Sequence, residues 1–256
     1  MAVGSARTRL YVEEDLKGAS SVDLSRAQAH YLKHVLRMST GDKVALFNGR
    51  DGEWICSVDT IGQGSISVKI EECFRGQADE PDLWLLFAPI KRTGLDFLVQ
   101  KAVELGVSQF LPVKTERTEV RRLNLKRLRA NVIEAAEQCE RLTLPVFSGS
   151  LTLDDALSQF PSDRTLAVCT ERGDVPAIDD VLRMPKAAAL SWAILCGPEG
   201  GFTDRELDAF AKLPFIRLVS LGPRILRAET AALSAMTCWQ AALGDWRRRP
   251  SERDLT

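Results

Sequence analysis

Arg224, Arg227 and Glu229 stand just behind Leu221-Gly222-Pro223, and Glu199 stands inside Gly197-Pro198-Glu199-Gly200-Gly201. Their types suit chemistry on a ligand: guanidiniums for negative charge, carboxylates for a proton. Each group follows an apolar run that reads as a strand, Leu190–Cys196 before the first and Ile216–Leu221 before the second, and each runs on into a helix start. Glycines at 197, 200, 201 and 222 remove side chains where a backbone can approach a ligand. Two strand-end loops of this kind predict one pocket at the carboxyl ends of neighbouring strands. No Gly-Lys-Ser/Thr follows the first loop and no G-x-G-x-x-G spacing is present, which argues against a phosphate cradle. Amides and carbonyls from two stiff loops suit a neutral, flat group such as adenine. A helix N-terminus favours anions. Arg224 and Arg227 at the start of the last helix therefore need a partner: Glu229, Glu199 or a bound phosphate.

Other residue sets carry less. His30 and His34, four apart on one helix, are the only histidines. They have no third metal ligand nearby and offer no base to the second half of the chain, so metal and Ser-His-Asp chemistry are not expected. Cys56, Cys73, Cys139, Cys169, Cys196 and Cys238 form no Cys-x-x-Cys pair and read as reduced thiols, several buried. Lys101 with Glu104, and Glu137 with Arg141, have the spacing of ordinary helix ion pairs. The formal net charge is −1, yet Lys114, Arg117, Arg121, Arg122, Lys126, Arg127 and Arg129 crowd one segment against Glu116 and Glu119, and Arg247-Arg248-Arg249 sit near the end. Such a run is either a solvated helix face or a phosphate-binding patch. No apolar run approaches the roughly 18 residues of a membrane span. Met1–Arg9 lacks the apolar core of a signal peptide, so a cytoplasmic protein is expected.

The elements that must position these residues fall into two patterns. Residues 8–75 are mostly short strands: Arg9–Val12, Lys43–Phe47, Glu53–Val58 and Ser65–Ile70. Asn48-Gly49 and Asp51-Gly52 give a hairpin signal, and one helix runs from a Ser25 cap to about Arg37. This predicts a small barrel, with a linker over Arg75–Asp82. Beyond it strands and helices alternate: strands at Leu83–Ala88, Gln109–Val113, Leu166–Cys169, Leu190–Cys196 and Ile216–Leu221, and helices at Leu95–Leu105, Asn124–Arg141, Thr152–Phe160 and Ala228–Leu243. Thr203 and Glu206 make a capping box for one more helix. The fold class is α/β with a largely parallel sheet.

Taken together the motifs resemble the RsmE family of RNA methyltransferases in the SPOUT superfamily. The resemblance rests on His34-Val35-Leu36-Arg37, Gly41-Asp42 and Phe47-Asn48-Gly49; on Gln100–Val107, Glu137-Gln138, Arg141 and Pro145; and on the two glycine loops with Leu226-Arg227 and Glu229-Thr230-Ala231. The family often reads Gln-Ser-Gly-Arg where this chain has Gln138-Cys139-Glu140-Arg141. The resemblance implies a PUA-like β-barrel over residues 1–75 and a trefoil-knotted SPOUT domain over 76–256. It implies a homodimer whose last helix packs across the interface through Leu233, Met236 and Trp239. The implied reaction moves a methyl group from S-adenosylmethionine to ring nitrogen 3 of a uridine in 16S ribosomal RNA, within the 30S subunit. Gly197, Pro198, Glu199, Gly200, Leu221, Gly222, Leu226 and Ala231 would line the cofactor pocket, with Thr170 and Glu171 at its rim. Arg227 would steady charge on the uracil or hold its phosphate, and either Glu199 or Glu229 would be the base. Arg9, Lys33, Arg37, Arg117, Arg121, Arg122, Gln138 and Arg141 would contact RNA. No metal is implied. The alternatives are a SPOUT-type enzyme with another RNA acceptor and a non-catalytic RNA-binding protein.

Overall fold

The computed structural model describes residues 6–120, 122–185 and 187–247, and it divides into two units. The first gathers the chain up to Asp79 together with Ala136–Leu144. Its five-stranded sheet has the order β1 (Arg9–Tyr11), β3 (Lys43–Phe47), β4 (Glu53–Ile61), β5 (Ile66–Arg75), β2 (Ser21–Asp23). β1 pairs parallel with β3, and the other pairs are antiparallel. Alternating residues close a core that includes Leu10, Val22, Leu32, Leu46, Cys56 and Val68. The hairpin turn between β3 and β4 forms where Asn48 predicts it. Its side-chain oxygen accepts the N–H groups of Arg50 and Asp51, and its amide donates to the Asp51 carboxylate at 2.7 Å. Gly52, at φ +84, is obligatory because a Cβ there would strike the Arg75 carbonyl.

The helix expected from Ser25 to Arg37 is shorter and of two kinds. Ser25 caps α1 (Arg26–His30) in a capping box with Gln28. The chain then widens into a π-helical stretch, Tyr31–Val35, and Arg37 leaves it at φ +53. Across this stretch the His30 and His34 rings lie 4.7 Å apart, tilted by 38°. Neither the widening nor β2 has a sequence signal, because both are shorter than a hydrophobic repeat.

The second unit, Glu80–Ala135 and Pro145 onward, is built on an all-parallel sheet. Its order is β12 (Ile216–Val219), β10 (Arg164–Cys169), β11 (Ser191–Cys196), β6 (Leu83–Phe87), β7 (Gln109–Lys114), β8 (Val146–Phe147), with β9 (Leu151–Thr152) also on β7. β10 is buried at every residue, as a strand covered on both faces should be. Its helices are α2 (Arg92–Glu104), α4 (Leu153–Ser158), α5 (Ile178–Leu182), α6 (Asp204–Ala211) and α7 (Ala228–Ala242). α3 (Leu125–Cys139) starts in this unit and ends in the first. Its expected run to Arg141 stops early because Glu140 takes a left-handed φ of +63. That position, where the family often has glycine, is the turn after a helix C-terminus that glycine serves without strain. Met236 and Trp239, expected at a subunit interface, are instead buried inside this unit, and Leu233 is half-buried. The α/β class and the separate strand-rich unit agree with the sequence reading.

Candidate cofactor and RNA site

Register sets the site. Val219 aligns with Cys169, Cys169 with Cys196, and Cys196 with Phe87, so four carboxyl ends lie level. The loops that leave them therefore stand in a row. The two glycine loops do not leave neighbouring strands, as the sequence reading expects. β10 lies between β11 and β12, and its loop, with Thr170 and Glu171, stands between them. Thr170 is buried, and its hydroxyl accepts the Arg172 N–H at 3.1 Å. Beneath it, Cys169 and Cys196 face each other across the register. Their hydrogen bond, with burial, raises the Cys196 thiol well above its ordinary range, which makes Cys196 a packing residue and not a nucleophile.

The four glycines divide into two groups. A Cβ on Gly197 would lie 3.1 Å from the Phe202 ring, one on Gly200 would lie 3.3 Å from Arg117, and one on Gly201 would lie 2.5 Å from the Glu171 carboxylate. At these three the space a side chain would take is already filled by the protein's own side chains. Gly222, at φ +98, meets nothing within 4 Å. It alone offers open backbone to a ligand. Around it Leu221, Leu226 and Ala231 are half-buried, while Ile225 is 89% exposed.

Charge at this end is unbalanced. Arg227 is the N-cap of α7 without a side-chain capping bond, and both Arg224 and Arg227 are exposed. Among the described residues neither guanidinium has an ion pair or hydrogen bond. Glu229 does not compensate them; its carboxylate lies 3.4 Å from where a Gly94 Cβ would be, against the first turn of α2. Glu199 is exposed on the first loop. Lys91 and Arg92, which the sequence reading missed, open α2 at the same end of the sheet, both exposed. Their signal was available: a Lys-Arg-Thr-Gly run directly after a buried strand.

The expected RNA contacts scatter. In the first unit Lys33 donates to the Gly62 carbonyl at 3.0 Å, and Arg37 and Gln138 are exposed. Arg9, expected at RNA, is instead enclosed. Its side chain is 8% exposed and stacks over Phe47. It bonds Glu53 at 2.5 Å and donates to the Ala136 and Arg141 carbonyls at 2.7 and 2.6 Å. Glu53, itself buried, also holds Arg75 at 2.5 Å. Burial lowers the Arg9 pKa, while Glu53 opposes that shift. Arg141 is likewise buried and donates to Thr143 at 3.1 Å. These two arginines hold the unit together and present no guanidinium to RNA. In the second unit Arg122 is exposed, Arg127 is tied to Asp96, and Arg117 donates to the Gly200 carbonyl at 2.6 Å. Arg121 lies outside the described residues.

Such a site on this fold matches one class of protein. An RNA methyltransferase domain matches residues 78–240, and an RNA methyltransferase PUA domain matches residues 24–71. The chain belongs to the ribosomal RNA small subunit methyltransferase E family, as the motifs imply. It is 36% identical over 89% of its length to ribosomal RNA small subunit methyltransferase E of Rickettsia conorii, covering 93% of that protein. It is 34% identical over 92% of its length to the Synechocystis protein of that name, covering 78% of it. The crystal structure of a ribosomal RNA small subunit methyltransferase E from Neisseria gonorrhoeae, bound to S-adenosyl methionine, superposes with a TM-score of 0.83 at 30% identity, covering 93% of this chain and 99% of that one. The loops here fit such a ligand: open backbone at Gly222, half-buried apolar walls for a flat ring, and the exposed carboxylates of Glu171 and Glu199 for hydroxyl or ammonium groups.

Proposed function

We propose that the chain transfers a methyl group from S-adenosylmethionine to ring nitrogen 3 of one uridine in 16S ribosomal RNA. The observation that carries this reading is the pair Arg224 and Arg227, exposed and without an ion pair among the described residues, at the start of α7, directly after the open Gly222 loop. Two cations at the positive end of a helix raise the local potential, which suits an anionic acceptor. When bound, the cofactor supplies a methyl carbon already made electrophilic by its sulfonium. The protein's task is to align acceptor and donor and to help the uracil imide lose its proton. Leu221, Gly222, Leu226 and Ala231 line one side of the cofactor pocket, Gly197, Pro198, Glu199 and Gly200 the other, and Thr170 and Glu171 its rim. Arg227 steadies the charge that develops on the uracil or holds its phosphate. Glu199 or Glu229 takes the proton; exposure favours Glu199, because Glu229 packs against Gly94.

Lys33, Arg37, Gln138 and Arg122 contact RNA phosphates in this reading. Residues 1–75 serve as the RNA-binding barrel and 76–256 as the knotted methyltransferase domain. The protein works as a cytoplasmic homodimer on the assembled 30S subunit. The test is incubation with methyl-labelled S-adenosylmethionine and unmodified 30S subunits, naked 16S RNA or transfer RNA, followed by nucleoside analysis. Label in 3-methyluridine from the subunit is the expected result. Label only in transfer RNA would move the reading to another acceptor, and no label in any RNA would remove the acceptor assignment.

A further inference from the structure

Arg117 sits in the basic segment that the sequence offers to RNA, yet its guanidinium points elsewhere. Nη1 donates to the Gly200 carbonyl at 2.6 Å and to the Phe202 carbonyl at 3.3 Å. Its methylenes cover Gly200, where a Cβ would lie 3.3 Å from Cδ. A second clasp joins the same two loops. Glu206, 5% exposed, accepts the Glu116 N–H at 2.9 Å through one oxygen and the Thr203 N–H at 2.8 Å through the other. The loop that follows β7 is itself held by Thr115, whose N–H donates to the Thr118 hydroxyl at 2.9 Å. A braced turn thus grips the carboxyl end of the first glycine loop, from Gly200 to Thr203.

We propose that Arg117 is a positioning residue for the cofactor loop and not an RNA contact. The inference rests on reading Gly197–Gly201 as one wall of the cofactor pocket. A segment with three glycines in five residues gains much freedom when released. A charged donor shared by the Gly200 carbonyl and the Phe202 carbonyl just beyond the segment is a strong restraint on that freedom. Gly201, at φ +65, lies between the two carbonyls Arg117 holds, so the turn is fixed on either side of its most permissive residue.

The experiment uses the full chain, with Arg117→Met, Arg117→Lys and Glu206→Gln beside the wild type. Amide hydrogen exchange over residues 200–203 is followed without ligand. S-adenosylhomocysteine binding is followed by calorimetry, and 16S RNA binding by salt titration. Arg117→Met is expected to speed loop exchange about tenfold and to weaken S-adenosylhomocysteine binding about tenfold, with RNA affinity and its salt slope unchanged. Arg117→Lys, whose ammonium can still donate, should recover most of both losses. Glu206→Gln should loosen the loop with Arg117 intact. Unchanged exchange and unchanged ligand affinity, with a salt slope reduced by about one, would make Arg117 a phosphate contact and overturn the proposal. Should the wild type itself not bind S-adenosylhomocysteine, the cofactor reading fails while the exchange comparison still decides the clamp.

Discussion

Arg164 opens β10 at the amino end of the parallel sheet and is enclosed there. Its side chain is 8% exposed, lies over the Trp84 ring, donates to the Trp192 carbonyl at 2.9 Å and pairs with Asp82 at 2.5 Å. At the other end of the same sheet Arg224 and Arg227 are exposed and, among the described residues, have no partner. The contrast follows from what carries each residue. Arg164 and Arg9 lie within strands, where neighbouring backbone and aromatic rings enclose the guanidinium, and a buried charge must be paired. Arg224 and Arg227 lie on a Gly/Pro loop and a helix cap, where no described residue pairs with them. An arginine inside a strand is therefore weak evidence for an RNA contact, and one on a strand-end loop counts only where no partner among the described residues holds it, as at Arg224 and Arg227 and not at Arg117.

The largest effect should come from breaking a structural arginine. Glu53→Gln removes the carboxylate shared by Arg9 and Arg75. It should cost about 3–5 kcal/mol, because two guanidiniums lose the carboxylate they share in a buried place. Urea denaturation reads this, and a loss under 1 kcal/mol would mean that the cluster is not the anchor described. Next comes a functional arginine. Arg227→Ala should lower turnover by about 10²–10³-fold, the range for loss of one charge-stabilising donor. Stability and S-adenosylmethionine affinity should hold within error, and full turnover in single-turnover assays would end the proposed role.

Two smaller effects sharpen the picture of the first unit. Glu140→Gly should stabilise it by about 0.5–1 kcal/mol, since the left-handed backbone there strains any side chain while glycine adopts it freely. Thermal melting decides, and a destabilised variant would show that the Glu140 side chain outweighs the strain. The smallest effect is pH-dependent. The Asn48 side chain, and then the Leu16 N–H, hold the Asp51 carboxyl below its ordinary range. A depressed folded pKa adds stability in full above the unfolded value near ~3.9 and loses it as pH falls through the folded one. Asp51→Asn should therefore flatten the acid side of the stability curve below about pH 4, where the unfolded carboxyl takes its proton and the folded one still resists it. A variant with the wild-type slope would assign that slope to other carboxylates.

Much of the molecule was legible because its signals are local. Apolar runs marked β6, β10 and β11, Asn48-Gly49 marked the hairpin, and Thr203 with Glu206 marked the start of α6. The glycine loops and the arginines behind them were visible for the same reason, since a helix start and a bare backbone are written in consecutive residues. The family was also readable from motifs alone. Tertiary structure decided everything that depends on who meets whom. It placed β10 between the two glycine loops and covered Gly201 with Glu171. It buried Arg9 against Glu53 and turned Arg117 from the basic run onto Gly200. The physical reason is that strand order and side-chain burial are set by contacts between residues tens of positions apart. Composition and periodicity report only what each segment prefers for itself.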